Sequence, residues 1–342
     1  MKAAVHVDAY RLDVLDLPVP KVADYDHVLL KVGAVGICGS DKHDLDHPPL
    51  RDQIPGHEFA GVIEELGDDP GGFCVGDRVL ARPRCRCGEC GPCRQHPRGE
   101  CERRGVFGCR GPQQKPGAMA EYVLVRTENL TKVPEAIPLE QAAMADPVAV
   151  AVHSVNDGPP VEGRTCVIMG AGVIGLLLGQ VLTLRGASRV VMVDVRRSHL
   201  DVAKRLGDFD CILAGNNDEL IAQLTDLRAG VYYELAGGES PTLDIAVKSA
   251  AVEGHIVLVS QRPKGVWLDY QLVLFKRLTL SGIADVSDAA WAEAVSLILG
   301  GRVNVAPLIT HRYPLQKVNE ALMMAIEGDS LKVVIQPNGE MA

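Results

Sequence analysis

The sequence predicts an α/β chain of two domains, a doubly wound parallel-sheet domain and a β-rich domain that carries a cysteine-rich lobe. Three observations predict it. From "GRTCVIMG" onward, apolar β-type runs alternate with helical patterns; before about Val150 the chain is made of short β-type runs parted by Gly, Pro and Asp; and five cysteines crowd into "CRCGECGPCRQHPRGEC", Cys85 to Cys101. At 342 residues the chain exceeds what one compact core usually holds, so two domains are the natural division.

In the first part, "HVLLKVGAVG" and "EYVLVRTENLTKV" alternate or run apolar between turn residues, as strands of an irregular β-rich domain do. From residue 151 the runs "TCVIM", "RVVMVD", "VYYELAG", "HIVLVSQ" and "LTLSGIA" are separated by helical segments such as "LDVAKRLGD" and "TLDIAVKSAAVEG". Strands alternating with helices imply a parallel sheet with helices on both faces. "DAAWAEAVSLILGG" has helical spacing, and the tail after it reads as β-type again. No internal repeat or low-complexity segment is present.

Composition narrows the function. A formal charge of −9 with acids and bases interspersed gives no basic face for nucleic acid or an anionic membrane. The start "MKAAVHVDAY" lacks the pattern of a signal peptide, and the apolar stretch "GVIGLLLGQVL" is too short to span a bilayer. A cytoplasmic location follows as an expectation, and there clustered cysteines bind metal or do redox chemistry more often than they form disulfides.

Cys87, Cys90, Cys93 and Cys101 form a C-x2-C-x2-C-x7-C array. Two-residue gaps aim successive thiolates of a turning loop at one centre, and four thiolates with no open position suit a structural zinc ion. An iron–sulfur cluster is the rival, but the fourth spacing with a following proline that such clusters use is absent. Cys85 and Cys109 lie outside the array.

"GAGVIG" supplies Gly170, Gly172 and Gly175, with Val173 and Ile174 between the last two, directly after an apolar run and before a helical pattern. A second apolar run ends in Asp194, 19 residues beyond Gly175. Strand, glycine turn, helix, strand and terminal acid together make a Rossmann dinucleotide fingerprint. The glycines permit the turn, the approach of backbone to pyrophosphate and the packing of helix on strand. Asp194 can accept the adenosine ribose hydroxyls and repels a 2′-phosphate, which favours NAD over NADP, whereas Arg196 and Arg197 directly after it could pair with a phosphate.

Cys38 in "GICGSDKHDL" and His57 in "IPGHEFAGVI" each stand beside glycines that let a loop bend. Asp146 in "AAMADPVAVAVHSV" is a carboxylate in an apolar segment, where a cation would offset its charge. Cysteine, histidine and aspartate with one open position describe a catalytic zinc site.

These motifs carry a resemblance. "GICGSDKH", "GHEFAGVI", "GDRV", the four-cysteine lobe, "AEYVLV", "DPVAVAVHSV", "GAGVIG" and "VNVAPLITHRYPL" run nearly end to end, and the chain resembles the zinc-containing medium-chain dehydrogenases of the alcohol and polyol dehydrogenase superfamily, in its sorbitol dehydrogenase-like branch. The resemblance implies a GroES-like catalytic domain built from residues 1–150 and 287–342, its zinc lobe at 85–109, and a Rossmann NAD-binding domain at 151–286, with the active site in the cleft between them. It implies hydride transfer between a secondary alcohol or ketone (a polyol, cyclitol or sugar-like molecule) and NAD(H), with two zinc ions per chain. Cys38, His57 and Asp146 match the catalytic zinc positions, and Glu58 a carboxylate that ligates directly or through water. Ser40 matches the hydroxyl that contacts the substrate oxygen, and His43 a residue that passes a proton to solvent. A homo-oligomer, tetramer ahead of dimer, is also implied.

The chain departs from the sorbitol dehydrogenase pattern at "IADVSD", where a cation is missing, so the substrate stays open. Alternatives to an NAD-linked dehydrogenase are an NADP-dependent ketone reductase of a specialised biosynthetic pathway and a lyase or epimerase using tightly bound NAD. A zinc-ribbon module leaves the dinucleotide fingerprint unexplained, and a metal-free quinone reductase has no use for Cys38, His57 and Asp146. His153 reads as a packed helix histidine, Asp46 and His47 as a polar surface loop, and Glu234 and Arg277 receive no role.

Overall fold

The computed structural model describes residues 1–22, 26–50, 53–85, 87, 90–95, 101–102, 105–110, 115–261 and 265–341, with the side chains of Cys93 and Gln95 outside the described set. Two compact units divide the chain: Met1–Asp146 with Val295–Ala342, and Pro147–Ala294.

The first unit is built on a seven-stranded sheet. Its path runs Ile309–Pro314, Lys332–Gln336, His27–Gly36, Glu58–Leu66, Arg78–Ala81 and Leu130–Lys132, and Tyr122–Arg126 also pairs with His27–Gly36. The central strand, HVLLKVGAVG, is buried along nearly its whole length, which its run of Val, Leu and Ala permits. The side chains of Val28, Leu30, Phe59, Ile63 and Met119 make the heart of the core. An antiparallel hairpin, Lys2–Asp8 with Arg11–Asp16, forms a small sheet of its own and packs Ala4, Val5 and Leu12 into the same core. One feature of this unit determines the site: in the antiparallel pairing of His27–Gly36 with Glu58–Leu66, Gly36 stands opposite Glu58. Two loops distant in sequence therefore leave the sheet side by side, one leading into Cys38 and the other arriving from His57.

The tail differs from its all-β expectation. Between its two strands lies the helix Val318–Glu327. Val318, Ala321, Leu322 and Ala325 are its buried residues, at the i, i+3, i+4, i+7 spacing of an amphipathic helix.

The second unit holds a six-stranded parallel sheet. Its order is Asp210–Leu213, Arg189–Asp194, Thr165–Met169, Val231–Glu234, His255–Leu258, Thr279–Gly282. Numbered along the chain this is 3-2-1-4-5-6, the dinucleotide-binding order, with a switch point beside the first strand. Cys166–Met169 and Val231–Glu234 are buried throughout, as central parallel strands covered on both faces must be. Among the described residues no helix is long and apolar enough to cross a membrane.

Candidate active site

Cys38 is the N-cap of the helix Gly39–Leu45 and has extended backbone, φ −93° and ψ 161°. The third helical residue, Asp41, reaches back so that its Oδ2 accepts the Cys38 backbone N–H at 2.8 Å. This half of a capping box fixes the thiol-bearing residue. The other oxygen of the same carboxylate, Oδ1, lies 3.4 Å from Nδ1 of His57, and Asp41 is only 1 % exposed. Ser40 Oγ faces the opposite ring nitrogen, Nε2, at 3.5 Å, while the Cys109 thiol lies 3.4 Å from Nδ1. His43 is exposed on the same short helix, its ring edge-on to that of His47 at 5.1 Å.

The ligand atoms of Cys38, His57 and Glu58 lie within 4.8 Å of one another. Asp146 stands outside this tight set, yet it is close enough to feel the charges of His57, Glu58, Lys332 and Arg84. It sits in the first turn of the helix Ala145–Asn156, half-buried. Burial, with the Glu58 charge added, pushes its carboxyl up to about 6 against the pull of His57, Lys332 and Arg84. No hydrogen bond or ion pair reaches this carboxylate among the described residues.

Glu58, by contrast, accepts a hydrogen bond from Lys332 Nζ at 2.5 Å, both side chains being buried. Burial works against the Lys332 ammonium, but the anions Glu58, Cys38 and Asp41 hold its pKa above the ordinary value. Burial works likewise against a charged His57, and Asp41 and Cys38 outweigh it, raising that ring well above the ordinary value. The pocket thus gathers acidic groups in excess of its cations. A cysteine sulfur, an imidazole and a carboxylate with no hydrogen bond among the described residues are the donors a zinc ion takes, so these residues fit a catalytic zinc.

The cysteine lobe is described in part. Sγ atoms of Cys87, Cys90 and Cys101 lie within 4.8 Å of one another. The Cys87 N–H points at the Cys101 sulfur at 3.3 Å and the Cys90 N–H at the Cys87 sulfur at 3.4 Å, the amide-to-sulfur bonds that favour thiolates. The side chain of Cys93, expected as the fourth ligand, falls outside the described residues, as does most of the segment between it and Cys101. Cys85 is apart from the trio, and burial pushes its thiol up to about 11, keeping it neutral. Three converging sulfurs fit the structural zinc expected here.

In the second unit a cavity of about 320 Å³ opens at the carboxyl ends of the strands. Gly170, Gly172, Asp194 and Arg196 line it, with Leu235, Ala236 and Asn217. Gly170 has φ +119°, and a Cβ on Gly175 would stand 2.0 Å from the Gly170 carbonyl oxygen, so both glycines are required by the turn. Val173 and Ile174 begin the helix Val173–Leu184, half-buried, and Arg197 is exposed; none of the three lines the cavity. Asp194 accepts the Ala171 N–H on Oδ2 and the Arg196 N–H on Oδ1, each at 2.8 Å. His199 Nδ1 adds a contact to Oδ2 at 3.4 Å. Burial opposes this charge, but the bonds from His199, Arg196 and Ala171 hold the carboxyl below its ordinary range.

Three residues of the catalytic cluster escape a reading of the sequence. Asp41 is legible only as the third residue after Cys38 in a capping pattern. Cys109 reads as a stray thiol and Lys332 as an ordinary strand lysine. His153 is placed as a packed helix residue, its Nε2 3.3 Å from the Ala284 carbonyl and its Nδ1 3.5 Å from Asp157. Glu234 is buried and anchors the loop that follows it, accepting from the Ala236 N–H and the Thr242 and Ser260 hydroxyls.

A parallel sheet of this order with a glycine turn, in one chain with a β-rich unit bearing cysteine, histidine and carboxylate donors, is the make-up of a zinc-dependent dehydrogenase. Residues 24–135 match the alcohol dehydrogenase GroES-like domain, and residues 173–300 match the zinc-binding dehydrogenase family. The chain is 32 % identical over 336 residues to the D-arabitol-phosphate dehydrogenase of Enterococcus avium, covering 95 % of this chain and 94 % of that one. It is 30 % identical to the L-threonine 3-dehydrogenase of Bacillus subtilis (strain 168), covering 98 % and 99 %. Among solved structures, galactitol-1-phosphate dehydrogenase from Escherichia coli superposes with a TM-score of 0.86 at 27 % identity, covering 98 % of this chain and all of that one. The chain belongs to the zinc-containing medium-chain dehydrogenase/reductase superfamily, in its polyol dehydrogenase branch, and is an oxidoreductase that moves a hydride between an alcohol and a ketone.

Proposed function

We propose that the chain oxidises a secondary hydroxyl of a polyol, cyclitol or sugar-like molecule with NAD, or reduces the matching ketone with NADH, using a catalytic zinc held by Cys38, His57 and Asp146 and a structural zinc held by Cys87, Cys90, Cys93 and Cys101. The observation that carries this reading is the carboxylate of Asp146, reached by no hydrogen bond among the described residues and close enough to feel the charge of His57, whose loop strand pairing sets beside that of Cys38. When bound, zinc polarises an alcohol or carbonyl oxygen and lowers the pKa of the hydroxyl, and the nicotinamide accepts the hydride. The rest is the work of this chain. Asp41 orients His57 through Nδ1, so that Nε2 faces the side on which Ser40 stands. Ser40 Oγ would relay the proton of the substrate hydroxyl, giving up its own as it takes the substrate's, by way of the cofactor ribose to exposed His43 and water.

Asp194 carries the preference for NAD, since a carboxylate in the cavity wall, kept ionised by its hydrogen bonds, accepts ribose hydroxyls and repels a 2′-phosphate. Arg196 also lines that cavity and is the residue through which NADP would gain a foothold; Arg197 lies off it. A carboxylate in place of a second thiolate makes the site harder, which suits substrates rich in hydroxyls. A homo-oligomer has a surface at hand in the second unit. Among the described residues the outer strand Thr279–Gly282 has a partner on one edge alone, and Trp267, Tyr270 and Phe275 are exposed before it.

The test is formation of reduced cofactor on zinc-loaded protein with NAD and NADP in turn. Polyols, polyol phosphates, cyclitols, amino sugars and simple secondary alcohols form the panel. Turnover of a polyhydroxylated substrate with NAD, abolished in Cys38→Ser, is the expected result. Turnover of simple alkyl alcohols alone, or with NADP alone, would sink the substrate or the cofactor assignment respectively.

A further inference from the structure

We propose that His43 and His47 form a metal site of their own, a weak and exchangeable zinc site on the surface of the first unit, whose occupancy takes His43 out of the path of the proton and turns the enzyme down. The site stands on its own geometry, and its effect on turnover rests on the proton path given above.

The stretch H-D-L-D-H places two imidazoles four residues apart. Positions i and i+4 share one face of a helix, and histidines so spaced can hold one zinc ion together. The helix Gly39–Leu45 ends between them, yet the chain keeps its helical course. Asp46 has αR backbone, φ −72° and ψ −18°, its N–H donates to the His43 carbonyl at 3.3 Å, and the His47 N–H donates to the Asp44 carbonyl at 3.4 Å. Both rings are exposed and stand edge-on, their centroids 5.1 Å apart and their planes at 60°. With Zn–N bonds of about 2.0–2.1 Å, two imidazoles on one tetrahedral ion have centroids about 5 Å apart. The rings are already at chelating distance, so little ordering remains when an ion arrives. The surrounding charge favours a cation: Asp44 and Asp46 lie between the histidines in the chain, at the negative end of the helix. Of the nearby cations, Lys42 is bonded to the Ala325 carbonyl, and Arg110 donates to the Pro48 carbonyl at 2.7 Å. Neither carboxylate is a ready third ligand, since Asp44 accepts the Arg110 N–H at 2.9 Å and Asp46 bonds the Tyr10 hydroxyl. Two nitrogens, with water in the remaining positions, make a site that fills and empties with free zinc, unlike a shell of four thiolates. An ion there occupies the lone pair on which His43 receives the proton, so occupancy lowers turnover and leaves cofactor binding alone.

The test is a titration of full-length protein, holding its tightly bound ions, with zinc(II), bound zinc being counted by equilibrium dialysis in the parent and in His47→Phe. That variant keeps an aromatic ring against His43 and removes the donor nitrogen. The parent should take up one further ion per chain, which His47→Phe should bind about tenfold or more weakly. His47→Gln, polar but a poor zinc donor, should match His47→Phe and guards against aggregation through an exposed phenyl ring. Equal uptake by parent and variants, or no uptake by the parent beyond its tight ions, overturns the site. Over the same range of zinc the parent's kcat, with whichever alcohol of the panel turns over, should fall by about tenfold or more at unchanged KM for NAD. The kcat of His47→Gln should equal the parent's before zinc is added and fall only at about tenfold higher zinc. Uptake that leaves kcat untouched upholds the site and overturns its inhibitory role. Should no alcohol of the panel be oxidised, the substrate reading falls, and zinc uptake still decides the site.

Discussion

Asp41 serves two of the proposed ligand residues with one carboxylate, holding the Cys38 backbone through Oδ2 and facing the His57 ring through Oδ1. Truncation should therefore loosen both at once. Asp41→Ala is expected to weaken zinc at the catalytic site by about 10- to 100-fold, read by chelator competition, while the cysteine lobe keeps its ion. Ser40 lies one step further on, touching His57 without holding it. Ser40→Ala should lower kcat by about 100-fold or more with zinc content unchanged, and Ser40→Thr should restore most of it. Loss of zinc in Ser40→Ala would show instead that the hydroxyl supports the metal and not the proton. Such residue-scale partnerships are faint in the sequence for a physical reason. Cys38, His57 and Asp146 stand out because a soft thiolate, an imidazole and an acid appear where glycine or apolar neighbours make them conspicuous. Lys332 does not, because a lone lysine reads as a solvated side chain, and its burial depends on a partner 274 positions away.

At the scale of elements, the strand, turn and helix around Gly170 are contiguous, which is why that motif could be read along the chain. The turn is closed by contact: Gly175→Ala places a methyl against the Gly170 carbonyl, and the backbone must yield. That variant should lose cofactor binding and about 1–3 kcal/mol of stability, seen as a lower denaturation midpoint. Asp194 ties the end of its strand to the same turn through the Ala171 N–H. Asp194→Ala strands the Ala171 and Arg196 amides and should cost about 1–3 kcal/mol at neutral pH. The sign with pH follows from its carboxyl being held below the ordinary value in the folded state. Its contribution is complete above the unfolded pKa of about 3.9 and is lost as pH falls through the lower folded value. The gap between parent and Asp194→Ala midpoints in urea should thus be constant from pH 5 to 7 and close only below about pH 4. A gap that closes already near pH 6 would contradict the assigned bonds. The helix Val318–Glu327 shows the limit of pattern reading at this scale, since its short apolar stripe is flanked by β-type runs that dominate the tail.

For the whole molecule, the two metal sites proposed above, with their different duties, predict different failures. Cys101→Ser should leave one zinc per chain and lower Tm by several degrees, because a structural zinc is part of the folding energy. Cys38→Ser should also leave one zinc per chain but remove turnover while Tm changes much less. A Tm lowered equally by both would deny the lobe its structural role. The parallel sheet and its class were legible from alternation of strand and helix, whereas the strand order was not, because pairing between distant segments leaves no local mark. The same holds for the pairing of Gly36 with Glu58 that sets Cys38 and His57 together.

The first unit is closed by the strand Lys332–Gln336, which pairs with His27–Gly36 and brings Lys332 to Glu58. During synthesis, chains emerge at about 5–20 residues per second and usually fold from the amino end. Here the order is reversed. The contiguous unit Pro147–Ala294 is complete while the earlier one still lacks its closing strand. Until Lys332 arrives, the nascent sheet holds an exposed edge and Glu58 an unanswered charge, so the pocket of Cys38, His57 and Glu58 is the last part of this unit to be finished although these residues are among the first made.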